Sequence, residues 1–365
     1  MARKKIYLSP PHLTEDALSF VNDAIQSNWI APVGPDVDAF EKELATVLKV
    51  DHVITTNSGT SAIHLGLLAL GVSKGDEVVC STFTFCASAN PVVYCGALPV
   101  FVDSELTTWN MDPDLLRHAI EDRIRKTGRK PKAIIVVHLY GMPAQLNRIL
   151  EVGRLYDIPV LEDSAEALGS LYNAQQVGTF GDVGVLSFNG NKIVTASSGG
   201  ALFSSKKDLI ERARYLRQEA RESVTWYEHK EVGFNYRLSN ILAALGRSQL
   251  KILNDRVLKR RAVFSFYERE LSSIPGVEFQ PEPDNMRSNR WLSAVVFEHP
   301  GVAEKIRRSL ADEDVECRPL WKPMHLQPAF AGCPFYGNGI SDDLFKRGLC
   351  LPSGSDLEES DLRRI

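Results

Sequence analysis

The sequence predicts an α/β protein: a large domain on a mostly parallel sheet with helices on both faces, then a smaller α+β C-terminal domain. Two observations carry this. From residue 52 the chain repeats one unit of a short β-branched run, a turn and a helical stretch. The runs fall at 52–56, 77–81, 98–102, 132–138 and 158–161, and the helical patterns at 60–70, 87–94, 113–126 and 146–156. Such alternation makes parallel strands joined by right-handed crossovers. The second observation is a change of texture beyond a long helix predicted over 239–271. A break at Pro275-Gly276 and a Pro-rich stretch at 281–285 lead to a strand at 291–297, a helix at 302–313 and a strand at 315–318. We place the domains at 1–250 and 251–365.

Taken in order, residues 1–13 lack periodicity and contain Pro10-Pro11, so they read as an extended arm leading to a helix capped by Thr14 and favoured by Glu15 and Asp16. The pattern breaks at 27–30, where Trp29 is either a packing residue or a ligand contact. A second helix follows Gly34-Pro35 with Val37, Phe40, Leu44 and Val47 on one face. After the repeated units come a short strand through Val183 and Val185, a glycine-rich segment and a charged helix at 206–218. The last ten residues read as the opening of a helix that stops early, so the chain is expected to be truncated.

Composition bounds the function. Lysine and arginine number 42 against 46 acids, for a net charge of −4. That balance gives no basis for nucleic acid or anionic membrane as the main partner. The N-terminus has no apolar stretch of signal-peptide length, and the six cysteines form no C-x-x-C pair. A soluble protein of the reducing cytoplasm is expected, with no metal site.

In a parallel sheet, ligands collect beyond the carboxyl ends of the strands. Those ends carry Asn57-Ser58-Gly59-Thr60, residues 82–85, Asp103, residues 138–140, Glu162-Asp163 and Ser187. Lys192 lies on the loop beyond the last of these. A neutral lysine amine forms a Schiff base with a carbonyl, and pyridoxal phosphate is the common cofactor held that way. Ser58-Gly59-Thr60-Ser61 follows a strand and opens a helix, where unpaired amides and the Thr60 and Ser61 hydroxyls suit a phosphate; an ordinary helix cap is the alternative. Asp163 ends an apolar run and can pair with a pyridinium nitrogen, or serve as a capping carboxylate. Phe83 or Phe85 can stack on a flat ring or fill the core. His325 can hold a substrate oxygen or pair with backbone.

The stretches NSGTSAIHL (57–65), FTFCASAN (83–90), LEDSAEALG (161–169), GDVGVLSFNGNK (181–192) and GFNYRLSNI (233–241) together resemble the sugar-nucleotide aminotransferases of the DegT/DnrJ/StrS type over nearly the whole chain. The resemblance implies an aspartate-aminotransferase-like fold, that of fold type I pyridoxal phosphate enzymes. It implies that Lys192 bonds the cofactor, Asp163 partners the ring nitrogen, Glu166 lies near the ring hydroxyl and Phe85 stacks on the ring. It further implies that Gly59, Thr60, Ser61 and Ser187 hold the phosphate, with Asn235 reaching it from the neighbouring subunit of a homodimer. Arg237 and His325, with Trp29, fall where relatives contact substrate. Relatives often carry histidine or glutamine in place of Glu166, and GEGG in place of residues 197–200. The LSPPH, SNWIAPVG and WKPMH segments resemble members acting on UDP-linked 4-keto-6-deoxy sugars with a 2-acetamido group, used for surface glycan or polysaccharide precursors.

The function expected from this is transamination from glutamate to the keto group of a nucleotide-linked sugar. A sugar dehydratase on the same cofactor is disfavoured, because those relatives carry histidine at the lysine position. Cysteine desulfurase chemistry is weaker still, because Cys317 and Cys333 have no evident activating neighbours. A cofactor-binding regulator without turnover is the alternative from another class.

Overall fold

The β-branched runs of the repeated unit become strands of one central sheet. In the computed structural model, which describes residues 4–365, they are β1 (His52–Thr56), β2 (Glu77–Ser81), β3 (Leu98–Val102), β4 (Ala133–Val137) and β5 (Val160–Asp163). A hairpin of β6 (Leu171–Tyr172) and β7 (Gln175–Gln176) precedes β8 (Val183–Ser187) and β9 (Gly200–Ser204). The later strands are β10 (Val277–Phe279), β11 (Met286–Arg287), β12 (Ser293–Phe297), β13 (Arg318–Pro319), β14 (Phe335–Tyr336) and β15 (Gly348–Leu351). The central sheet runs β1-β9-β8-β5-β4-β2-β3-β14. Its neighbours are parallel except at β9, which is antiparallel to both β8 and β1. A separate antiparallel sheet, β10-β12-β15-β13, forms in the C-terminal part, and β11 joins the small hairpin.

The helices are α1 (Ala17–Gln26), α2 (Pro35–Leu48), α3 (Gly59–Ala69), α4 (Cys86–Tyr94), α5 (Pro113–Thr127), α6 (Leu146–Tyr156) and α7 (Lys207–Arg217), followed by α8 (Asn240–Leu250), α9 (Leu253–Leu271), α10 (Val302–Asp312), α11 (Ile340–Arg347) and α12 (Glu359–Leu362). Strand alternation sorts them between two layers. Val78, Cys80 and Ile135 pack with Leu65 of α3, Val92 of α4 and Ile210 of α7. Their strand neighbours Val79, Ile134 and Val136 pack on the opposite face with Leu116 of α5 and Ile149 of α6.

Four local expectations are corrected. The first helix begins at Ala17 with Asp16 at its N-cap and no side-chain cap bond, so Thr14 is not the cap. On α2 the buried face runs Val37, Phe40, Leu44 and Leu48; Val47, one position off that stripe, is 37% exposed. The helix over 239–271 is two helices, because Ile252 leaves helical geometry at φ −110°, ψ 19°. The bend lets α8 pack on α1 and α2, while α9 carries Val257 in one core and Val263 and Tyr267 in the next. Val315, predicted to start a ladder strand, instead pairs with Ile6 of the N-terminal arm, and β13 begins only at Arg318. Residues 1–3 of the arm lie outside the described residues.

Candidate active site

β2, β4, β5 and β8 point their carboxyl ends at one edge, and a cleft of about 290 Å³ opens there. Gly59 and Thr60 from the start of α3, Phe85, Asp163, Glu166, Ser187 and Lys192 all line it, with Ser88, Trp291 and Trp321. At its floor, Ser58 caps α3: its Oγ accepts from the Ser61 amide at 3.0 Å. Residues 199–200 run so close to this turn that a Cβ on Gly200 would fall 2.6 Å from the Gly59 nitrogen. The helix start and the loop after Lys192 are therefore one tightly seated unit.

The Lys192 side chain is largely enclosed, 12% exposed, and its Nζ lies 3.6 Å from Glu166 Oε1 and 3.9 Å from the centre of the Trp291 ring. Burial holds its ammonium below the ordinary 10.5, opposed by the carboxylates of Glu166 and Asp163. The amine is thereby biased toward the neutral, nucleophilic form. Burial likewise pushes Glu166 up to about 7, against the pull of Lys192 and a 2.7 Å bond from the Tyr140 amide. Asp163, at the end of β5, accepts from Ser88 Oγ at 2.6 Å and from the Ala165 amide at 3.1 Å, which fixes its carboxylate at the cleft wall. Its neighbour Glu162 points the other way and accepts from the amides of Gly178, Phe180 and Gly181, so it is structural. Phe85 is 55% exposed and tilts against Trp321 with centroids 5.2 Å apart. Phe83 is core.

Residues 11–365 match the DegT/DnrJ/EryC1/StrS aminotransferase family. The chain belongs to this family. EpsN of Bacillus subtilis (strain 168) is 48% identical over 366 residues, covering 99% of this chain and 94% of that protein. The GDP-perosamine synthase of Escherichia coli O157:H7 is 36% identical, over 97% of this chain and 94% of its own length. Among solved structures, the aminotransferase TlmJ from Streptoalloteichus hindustanus superimposes with a TM-score of 0.91 at 31% identity, covering 99% of this chain and 96% of that one. The protein is a pyridoxal phosphate-dependent sugar aminotransferase of fold type I.

The donor set of the cleft fits that cofactor. Hydroxyls of Thr60 and Ser187 and the first amides of α3 suit a phosphate, Asp163 supplies one anchored carboxylate for a cationic ring nitrogen, Phe85 offers a ring face, and Lys192 supplies the amine. The other sequence-predicted residues lie elsewhere. Ser61 does not line the cleft; its hydroxyl donates to Asn57 Oδ1 at 2.7 Å, bracing the turn beneath. Asn235 is exposed on a loop, and Arg237 lines a separate open groove with Glu219 and Arg221. Trp29 is 44% exposed, so it is not packed away, and it does not line the cleft. His325 spends both ring nitrogens inside the protein, Nδ1 2.7 Å from Thr82 Oγ1 and Nε2 3.0 Å from Asp342, and its ring stacks on Phe335.

Trp291, Trp321 and Ser88 escaped the sequence reading. Trp291 stood inside an apolar run and read as the start of a strand; only its contact with Lys192 reveals its place. Ser88 sits in the first turn of α4 and Thr84 on the loop just before that helix, so no helical spacing links the two hydroxyls in the sequence. Their oxygens meet at 2.7 Å.

Proposed function

We propose that the protein moves an amino group from glutamate to the keto carbon of a nucleotide-linked 4-keto-6-deoxy sugar, with a UDP-linked 2-acetamido sugar as acceptor, and that two copies of the chain complete each site. The observation that carries this is the largely enclosed Lys192 amine, lining the same cleft as the anchored Asp163 carboxylate and the helix-opening turn at Gly59 and Thr60. Pyridoxal phosphate, when bound, supplies a carbonyl for that amine and an electron-withdrawing ring. Lys192 Nζ would be the group that takes a proton from one reacting carbon and returns it to another. Asp163 keeps a proton on the ring nitrogen by offering it a fixed negative partner. Glu166, within reach of Lys192, stores a proton near neutral pH, and Phe85 and Trp321 shield one wall. Asn235 and Arg237 do not line the cleft of their own chain and would serve the partner's.

The UDP-linked acetamido sugar is supported by the SNWIAPVG and WKPMH segments, and the glutamate donor by the resemblance. No helix of the described residues is long and apolar enough to cross a membrane. The six cysteines are unpaired, in keeping with the cytoplasmic setting we propose. Burial pushes Cys317 up to about 12 and also raises Cys333, so neither is a ready nucleophile.

The test is direct. Glutamate alone should bleach the yellow of the bound cofactor, and a panel of UDP-, GDP- and dTDP-linked 4-keto sugars should then give one product slightly heavier than its keto substrate, the carbonyl oxygen being replaced by a hydrogen and an amino group. Lys192→Ala should abolish turnover; turnover retained in that variant would refute the assignment. A silent cofactor-binding regulator would not respond to glutamate.

A further inference from the structure

Arg260 lies on α9 and is 2% exposed. Its hydrogen bonds go to neutral oxygens: Nη1 donates to the carbonyls of Trp291 (2.6 Å) and Ser353 (3.0 Å), and Nη2 to the Ser9 hydroxyl (3.1 Å). A guanidinium buried this far without a bonded carboxylate is an expensive way to fill space. What it does for its neighbours is more informative. Two of its three partners converge on a single atom, the carbonyl oxygen of Asn191, which accepts from Ser9 Oγ at 2.8 Å and from Trp291 Nε1 at 2.8 Å.

Asn191 is the residue before Lys192. The lysine sits on an irregular turn between β8 and β9, where its own amide bonds only to the Asn189 carbonyl at 3.0 Å. No strand ladder or helix holds it. The Trp291 ring that helps fix Asn191 also lies under the Lys192 ammonium, 3.9 Å from its centre.

We propose that Arg260 is a positioning residue: through Ser9 and Trp291 it fixes the Asn191 carbonyl and thereby sets where the Lys192 amine stands in the cleft. The N-terminal arm and α9 are thus part of the apparatus that aims the amine. This rests on Lys192 being the amine that bonds the cofactor. The charged groups acting on Lys192 are Glu166 and Asp163, which favour its protonated form, and Arg260, which disfavours it.

The experiment follows capture of pyridoxal phosphate by the apoprotein, read as the growth of yellow absorbance across a range of pH. Borohydride reduction and peptide mapping then locate the attached group. In the wild type the label should fall on Lys192; a label elsewhere would defeat the underlying reading and the proposal with it. With the label on Lys192, Arg260→Gln should slow capture at neutral pH by about tenfold, and the midpoint of the rate profile should move to higher pH as the neighbouring cation is lost. Arg260→Lys should restore the midpoint but only part of the rate, since one ammonium cannot reproduce the fork. Ser9→Ala, which removes one of the two bonds to Asn191, should slow capture by about threefold with the midpoint unmoved. Capture at the wild-type rate in a folded Arg260→Gln protein would overturn the proposal. If that variant does not fold, Ser9→Ala decides alone, and an unchanged rate there overturns it.

Discussion

Glu166 and Lys192 share a buried corner in which each pays a desolvation penalty that the other only partly offsets. The carboxyl of Glu166 is raised from 4.5 to about 7, so the folded chain holds that proton more tightly than the unfolded chain does. Its contribution to stability is fully present below pH 4.5 and is lost as pH rises toward 7. Lys192 is shifted downward, so its own contribution grows with pH over a window that closes at 10.5. Glu166→Gln removes the first effect. The melting temperature of the apoprotein should then decline less between pH 4.5 and 7 than in the wild type, a difference that calorimetry across this range reads directly. The same change withdraws a carboxylate from Lys192, so its ammonium should fall further and pyridoxal phosphate capture should reach half its maximal rate at lower pH. An unchanged midpoint would separate Glu166 from the amine.

At the scale of elements, the turn that we propose seats the phosphate depends on how closely the loop after Lys192 passes the start of α3. A Cβ on Gly200 would stand 2.6 Å from the Gly59 nitrogen and from the Ser58 carbonyl carbon and oxygen, all backbone atoms that cannot rotate away. Gly200→Ala should therefore cost about 1–3 kcal/mol in denaturant unfolding and weaken cofactor retention, measurable by dialysis and absorbance. A variant with wild-type stability would show that the seat is looser than this spacing implies. The strands of this region were legible in advance because β-branched runs bounded by turns need no tertiary information, and the parallel sheet then placed Asp163, Ser187 and Gly59 at one edge. The break at Ile252 was not legible, since no glycine or proline marks it; packing of α8 on α1 and α2 and of α9 beyond them decides it. Trp291, Arg260 and Ser9 were invisible as a group for a similar reason. They come from the C-terminal part, from α9 and from the arm, and only the fold brings them to the carbonyl of Asn191.

At the scale of the whole molecule, a single chain leaves Asn235 exposed and Arg237 in an open groove apart from the Lys192 cleft. If each subunit lends its Asn235 to the other's phosphate site, the two lesions Lys192→Ala and Asn235→Ala damage different parts of a dimer. In a homodimer of either variant, both sites lack one component. In a mixed dimer, one site carries both lesions, whereas the other receives Lys192 from one chain and Asn235 from the other and is intact. Random exchange of equal amounts makes half the dimers mixed, so about a quarter of all sites should be whole. Mixing the inactive Lys192→Ala protein with the weakened Asn235→Ala protein after mild dissociation should thus raise turnover toward about a quarter of the wild-type value, and each variant mixed with itself supplies the baseline. Sites built from one chain alone would show no gain on mixing. Because Lys192 and Asn235 then act from opposite sides of one interface, dilution below the dimer's dissociation constant should abolish turnover while each chain stays folded.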